Sequence, residues 1–324
     1  MSTKDVVDRS AIILLLVLCV LWGLQQVAIK VTLDSVSPIM QAALRSIGAV
    51  LLLCVWMRWK NIPIFQRDGA EWWGIVAGLL FTAEFALLYW SLEFTTASRA
   101  IVFLYLSPFV VALGMHLLVP SERLKLLQVI GLCCAFTGIV IAFMDEGSSS
   151  EFGWIGDLMA IGAAILWGSM TVVVKASPQR LLRAEKVLFY QLGVSALLLP
   201  FCSILNGEPG IIELNQLAVL SLLFQAVIIA FISYVAWYWL IHHYPASKIT
   251  PFGFITPLFG VLFGFLLLNE PISASFIIAL ALVAGGIFLV NKPAKKEKGL
   301  KEKELKEKEL KEEESKESSN ITAQ

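Results

Sequence analysis

Few residues in this chain could do chemistry. Arg45 and Glu84 are the only ionisable residues near the middle of long apolar stretches. If those stretches cross a bilayer, each charge costs about 2.5–3.5 kcal/mol at a helix centre on insertion scales. Two readings of the pair stay open. It could be an ion pair that locks neighbouring helices, or a site for substrate and proton coupling. A second group is aromatic and amidic. Trp22 and Gln26 share a helix face at i, i+4, as do Trp167 and Thr171. Ser98, Val102, Tyr105 and Phe109 form another face, and Tyr234, Trp237 and Tyr238 crowd a later stretch. Aromatic and amide groups around a midplane cavity would suit an amphipathic metabolite. Plain helix packing, or interfacial anchoring for Trp237 and Tyr238, accounts for the same residues without a ligand. The candidate substrate-binding residues are Trp22, Gln26, Glu84, Tyr105, Trp167, Tyr234 and Trp237. Arg45 and Glu84 are the candidate coupling or ion-pair residues. Pro108 and Pro257 are the candidate gating residues.

Enzyme chemistry finds no support. The sequence has no Gly-rich phosphate loop followed by Lys-Ser/Thr, and no Ser or Cys nucleophile placed with a plausible His and acid. Cys19, Cys54, Cys133, Cys134 and Cys202 all fall in apolar runs without metal-ligand spacing. They read as small apolar residues. His116, His242 and His243 are too few and too dispersed for a metal cluster. No cofactor and no nucleic-acid partner are expected. Without an ATP-binding motif, any transport must draw on an ion gradient or on the gradient of the solute.

The elements that position these residues must be apolar helices. The 324 residues are 58% hydrophobic and 15% charged, with mean hydropathy +0.78. The segment from Lys292 onward alone holds ten Lys and nine Glu. What precedes it has too few charges to cover a soluble surface, so the chain reads as an all-α polytopic membrane protein. A hydrocarbon core about 30 Å thick needs about 20 apolar residues per helix. That ruler predicts ten spans, over 11–30, 37–57, 72–92, 97–118, 124–144, 154–175, 184–205, 217–240, 246–268 and 272–291. Turn chemistry separates them, as at Ser37-Pro38, Asn206 to Gly210 and Asn269-Glu270-Pro271. The run from Ala11 is followed by no small-residue cleavage site and reads as a retained first span.

The spans are duplicated. Tyr89-Trp90, Ala97-Ser98-Arg99 and Pro108 return as Tyr238-Trp239, Ala246-Ser247-Lys248 and Pro257, at an offset of 149. Leu21-Trp22-Gly23, Val27 and Lys30 return as Leu166-Trp167-Gly168, Val172 and Lys175, at an offset of 145. Gly138-Ile139 returns as Gly286-Ile287, at an offset of 148. Ordered echoes at nearly constant offset mean one repeated unit. The expected organisation is a cytoplasmic N-terminus over 1–10, a first five-helix repeat over 11–144, an external linker over 145–153, a second repeat over 154–291 and a charged tail over 292–324. Five spans per repeat is odd, so the second copy enters the membrane upside down. Inverted repeats of this kind meet around a midplane cavity and rock to expose it alternately. The mates of Arg45 and Glu84 are Gln191 and Ser233, so the charges belong to one half only. With the N-terminus inside, twelve Lys and Arg fall in inner segments before the tail, against Lys30 and Arg99 outside. That bias predicts a multi-pass inner (plasma) membrane protein with both termini cytoplasmic.

In the tail, Glu297, Glu302, Glu304 and Glu307 each precede a Lys by four residues. Leu300, Leu305 and Leu310 recur every five residues and make no coiled-coil stripe. The tail reads as a solvated cytoplasmic segment.

At the duplicated motifs the chain resembles the drug/metabolite transporter superfamily, specifically its EamA-type family. The first span of each half carries Trp-Gly and a distal Lys (Trp22, Gly23, Lys30; Trp167, Gly168, Lys175). The fourth opens Ala-Ser-basic and holds Pro108 or Pro257, a Glu follows it (Glu122, Glu270), and small residues surround Gly138 and Gly286 in the fifth. The resemblance implies ten spans in two inverted halves and secondary transport of small organic metabolites, often export of amino acids or related compounds. The partners expected are a small-molecule substrate and the lipid bilayer, with a homodimer left open. The rival reading is a non-transporting membrane scaffold or sensor that signals through the tail.

Overall fold

Apolar runs of bilayer length become helices because hydrocarbon offers the backbone no partner but itself. The computed structural model describes residues 7–64, 69–91, 94, 95, 97–143, 153–268 and 275–292. The helices are α1 (Arg9–Lys30), α2 (Pro38–Trp59), α3 (Glu71–Ser91), α4 (Ala97–Leu104), α5 (Ser107–Leu118), α6 (Leu126–Phe143) and α7 (Gly153–Ala176). There follow α8 (Ala184–Leu205), α9 (Gln216–Leu223), α10 (Tyr234–His243), α11 (Ala246–Ile249), α12 (Thr256–Leu268) and α13 (Ser275–Asn291). Local chemistry sets several boundaries. Asp8 caps α1, accepting from the Ala11 amide at 2.9 Å, and Asn215 caps α9 through the Ala218 amide at 2.8 Å. Pro38 opens α2, where its missing N–H is no loss.

Among the described residues, eight helices or helix runs are long and apolar enough to cross a membrane. The two other expected spans hold shorter apolar helices, Leu126–Ile141 and Ile277–Asn291. Large apolar side chains such as Ile13, Val55, Leu117, Leu197 and Ile277 stand exposed on these helices, a surface suited to lipid rather than water. The described residues up to Val290 pack as one unit. The linker expected over 145–153 lies outside the described residues except for Gly153, which opens α7. Glu270, the Ser98 side chain and the tail beyond Lys292 also lie outside them.

The fourth and ninth expected spans are broken, not merely bent. The first pauses at Tyr105 and Leu106 between α4 and α5, so Pro108 sits in the first turn of α5. The second passes through a 3₁₀ segment, Thr250–Ile255, before α12 begins at Thr256 beside Pro257. A proline cannot continue the preceding ladder, and its ring crowds the carbonyl four residues back, so the winding restarts at each proline. The eighth span changes from α9 to a π-wound segment, Phe224–Ser233, before α10. No Gly or Pro in that segment signals the change.

The contacts exchange between halves. α1 packs on α12, and α7 packs on α5. α2 packs mainly on α8 and the π segment, and α3 on α7 and α8. Small residues set the closest approaches. A Cβ added to Gly23 would lie 2.5 Å from the Cβ of Phe259, and one added to Gly168 would lie 2.5 Å from the Cβ of Val110. Gly131 of α6 meets Gly286 of α13 so closely that a Cβ on either would come within 2.7 Å of the other's carbonyl oxygen. Glycine admits backbones to that range and larger residues do not.

Candidate functional site

A small cavity lies among the two broken spans and the first span of each half. Trp22, Tyr105, Ser107, Pro108, Val111, Trp167, Gly168, Thr171, Trp237, Thr250 and Gly253 line it. Its volume of ≈ 20 Å³ has room for a water molecule and not for a metabolite. The break before Pro108 brings Tyr105 against Trp167, with ring centroids 6.2 Å apart and nearly perpendicular. Trp22 meets Trp237 at 5.5 Å and Tyr234 at 6.4 Å, both edge to face. Its indole N–H donates to the Ser233 hydroxyl at 2.9 Å, so the polar edge of a half-buried ring is satisfied and its orientation fixed.

From Tyr234 the aromatic contacts run on to Phe81 at 6.2 Å, Phe85 at 4.9 Å from Phe81, and Tyr89 at 6.2 Å from Phe85. Arg45 lies at the end of this series, its guanidinium carbon 4.3 Å from the Phe85 ring centre. Arg45 is 1% exposed and Glu84 5%. They lie within electrostatic range of each other, yet no salt bridge joins them among the described residues. Of the two readings of these residues, the ion pair between consecutive spans therefore has no direct contact behind it here, and α2 packs chiefly on α8 and the π segment. In the other half the mates are neutral, and the Gln191 amide nitrogen is itself without a partner. Gln191 accepts from the Tyr238 hydroxyl, and Ser233 donates to the Ile229 carbonyl at 2.6 Å.

The structure thus brings Trp22, Tyr105, Trp167, Trp237 and Pro108 to one cavity. It sets Tyr234 beside Trp22 and leaves Glu84 and Arg45 farther along the aromatic series. Gln26 is exposed, against Gly260, and does not line the cavity. Pro257 does not line it either. Ser107 and Thr250 were missed because they reach the cavity only through the breaks in their spans.

Two carboxylate clusters sit at opposite ends of α1. Near its N-terminus, Tyr244 donates to Asp8 at 2.9 Å, and beside Tyr244 lies the first cluster. There the 3₁₀ turn Pro120–Glu122 ends the fourth span and carries Glu122 to the ends of α7 and α11. Glu122 stands 3.7 Å from the Lys175 ammonium and accepts from the Ser247 amide and hydroxyl, both at 3.0 Å. Lys175 also donates to the carbonyls of Ile241, at 2.5 Å, and Tyr244, at 2.7 Å. Beyond the C-terminus of α1, Glu208 caps α2. It accepts from the amides of Ile39 and Met40, at 3.0 and 3.2 Å, and from the hydroxyls of Ser37 and Ser203, at 2.9 and 2.6 Å. An antiparallel bridge between Val36 and Ile211 holds the same two loops together.

The model of the EamA-like transporter family matches residues 9–144 and again residues 154–292. The chain belongs to the EamA-like transporter family. Relatives of this EamA chain include the uncharacterized transporter YoaV of Bacillus subtilis, 26% identical over 83% of this chain and 92% of that one. A probable amino-acid metabolite efflux pump of Escherichia coli is 23% identical over 89% of this chain and 95% of that one. One crystal structure superposes with a TM-score of 0.75 at 19% identity, over 86% of the EamA chain and 96% of its own. At that identity it speaks for the fold. The relatives are named as transporters and the chain carries multiple apolar helices, so this EamA protein is a multi-pass membrane protein of a drug/metabolite transporter family.

Proposed function

We propose that the protein is a secondary transporter of the cytoplasmic membrane that exports amino acids or related amphipathic metabolites by alternating access, with proton coupling. The observation that carries this reading is the convergence of Trp22 and Trp167, one position in two copies of a repeat, on a single cavity. The exchange of contacts between halves supports an inverted repeat of ten spans. Gly23 meets Phe259 as Gly168 meets Val110, and Gly131 meets Gly286 as Gly138 meets the Ala279 carbonyl. A pseudo-two-fold axis maps each contact onto its partner. The small cavity between two bonded ends fits a resting state that must open at one end to admit a solute. The name of the Escherichia coli relative supports the substrate class.

In this reading both termini are cytoplasmic, the Glu122 cluster faces the cytoplasm, and Pro108 and Pro257 are the hinges of the two opposite openings. Glu84 is the buried carboxyl group through which a proton gradient would act. Flux in proteoliposomes against a metabolite panel, with and without an imposed pH gradient, tests the function. Accumulation that follows the pH gradient is expected, and the absence of flux for every solute sinks it. Single cysteines at Ser149 and Ser315 test the orientation. An impermeant thiol reagent should label the first and not the second in intact cells.

A further inference from the structure

We propose that Arg45 and Glu84 bind the two charged ends of one zwitterionic amino acid, Arg45 taking the carboxylate and Glu84 the ammonium group. The proposal rests on the transporter reading and goes beyond it by naming the atoms that recognise the solute.

The first argument is the edge of Arg45 that is left without a partner. Its Nε and Nη2 have no hydrogen-bond partner and no contact with water. Those two nitrogens lie along one edge of the planar guanidinium. Their N–H groups point the same way, forming the fork that holds a carboxylate by two parallel bonds. The guanidinium carbon lies 4.3 Å from the Phe85 ring centre, a cation–π contact that leaves the Nε and Nη2 edge unused.

The second argument is Glu84. It is 5% exposed and has no hydrogen bond or salt bridge among the described residues. It stays within electrostatic range of Arg45 without touching it. Two opposite charges that are buried, close and separately unsatisfied form a site with zero net charge and a fixed polarity. A solute with a single charge would satisfy one residue and leave the other buried and unpaired, which is strongly unfavourable. A solute with both charges satisfies both. Tyr89 and Tyr234 lie within electrostatic range of Arg45 and Glu84, and Phe81 and Phe85 pack in the same series. These rings suit an apolar or aromatic side chain.

The third argument is the second half of the molecule. At the repeat-related positions the fold holds uncharged groups, Ser233 bonded to the Ile229 carbonyl and Gln191 accepting from Tyr238 while its amide nitrogen has no partner. The charges are therefore not demanded by the architecture. The fork is buried in this conformation, so a solute reaches it only when the helices around Arg45 move apart. A solute-driven movement of that kind is what alternating access needs.

Thermal stabilisation and binding of the full chain in nanodiscs are measured first against the twenty common amino acids. The best ligand is then compared with its carboxamide and its N-acetyl derivative. The unaltered protein should bind either capped form at least roughly a hundredfold more weakly, the scale on which losing one partner of a buried, hydrogen-bonded charge pair weakens binding. Arg45→Gln should lose affinity for the amino acid and no longer distinguish it from the carboxamide. Glu84→Gln should no longer distinguish it from the N-acetyl derivative. If either single variant fails to fold, the neutral pair Arg45→Gln with Glu84→Ser copies the second half and should fold while ignoring both caps. Indifference of the unaltered protein to the caps overturns the proposal. So does discrimination that survives in the variants, or the absence of binding by any amino acid. Flux of other solutes that is insensitive to both variants would leave the transporter standing and remove this site. Absence of all flux would remove the transporter reading itself.

Discussion

The two ends of α1 are held by carboxylates that do opposite chemistry. Glu122 meets a cation, and that cation, Lys175, also sits on the last carbonyls of α10. Glu208 meets no cation among the described residues; its contacts are the first amides of α2 and two hydroxyls. One cluster places a positive group at a helix C-terminus and the other a negative group at a helix N-terminus, and both are favourable to the helix dipole. The difference lies in what happens when they open. Separating Glu122 from Lys175 strands two buried charges. Separating Glu208 from α2 strands one charge, and water replaces backbone amides easily at a loop. The Glu122 end is therefore the costlier of the two to separate. It is also built from repeated motif residues, Lys175, Glu122 and Ser247, whereas Glu208 lies in a loop outside those motifs.

The sharpest way to break this comparison is to remove the cation. Lys175→Ala should destabilise the protein by about 3–5 kcal/mol, because Glu122 is left buried without its partner charge. Thermal unfolding in detergent reads the loss. Adding Glu122→Gln to a Lys175→Met variant removes both charges and should recover most of it. If Lys175→Ala unfolds at the temperature of the unaltered protein, the ion pair is not what holds that end. At the other end, Glu208→Ala should cost about 2 kcal/mol, the upper range for loss of a helix N-cap. Glu208→Gln should cost less, since one oxygen remains to accept.

The prolines connect the two ends. Pro108→Ala and Pro257→Ala each allow a continuous ladder where the chain now restarts. In the alternating reading they should shift the labelling rate of a cysteine at Thr171 in opposite directions, measured from the two sides of a vesicle. Shifts in the same direction would separate the breaks from gating.

Much of the fold was legible because hydrocarbon thickness is a ruler. The predicted spans over 37–57 and 184–205 became Pro38–Trp59 and Ala184–Leu205, with ends set by Pro38 and by the Asn206 turn. The aromatic positions were legible through the repeat, which marked Trp22 and Trp167 before any contact was known. The end clusters were not legible as clusters. Lys175, Glu122 and Ser247 each stood out as motif residues, but no periodicity relates positions so far apart in the chain. Glu208 read as part of a turn, since its role depends on a helix that begins 170 residues earlier. For Arg45 and Glu84 the sequence left open an ion pair or a coupling site, because the packing of α2 chiefly on α8 is not legible from adjacency of spans. The π winding of Phe224–Ser233 had no local signal, because all its residues suit an α-helix in lipid.

The smallest effect gives the finest comparison. Ser247 and Ser37 each donate one hydroxyl bond to a clamp carboxylate, at 3.0 and 2.9 Å. A hydrogen bond contributes about 0.5–1.5 kcal/mol net, and more when its partner is charged. The two serines should not be equal. Without the Ser37 hydroxyl, Glu208 keeps the amides of Ile39 and Met40 and the Ser203 hydroxyl. Without the Ser247 hydroxyl, Glu122 keeps one amide on the same oxygen and the Lys175 contact at 3.7 Å on the other. The same deletion therefore removes a larger share of the support for a carboxylate that is 8% exposed. Ser247→Ala should lower stability by about 1.5 kcal/mol and Ser37→Ala by about 0.5 kcal/mol. Thermal unfolding of the two variants side by side gives the ranking. An equal or larger loss for Ser37→Ala would mean that the amide-built end is the more tightly held, and the order of the two ends would be reversed.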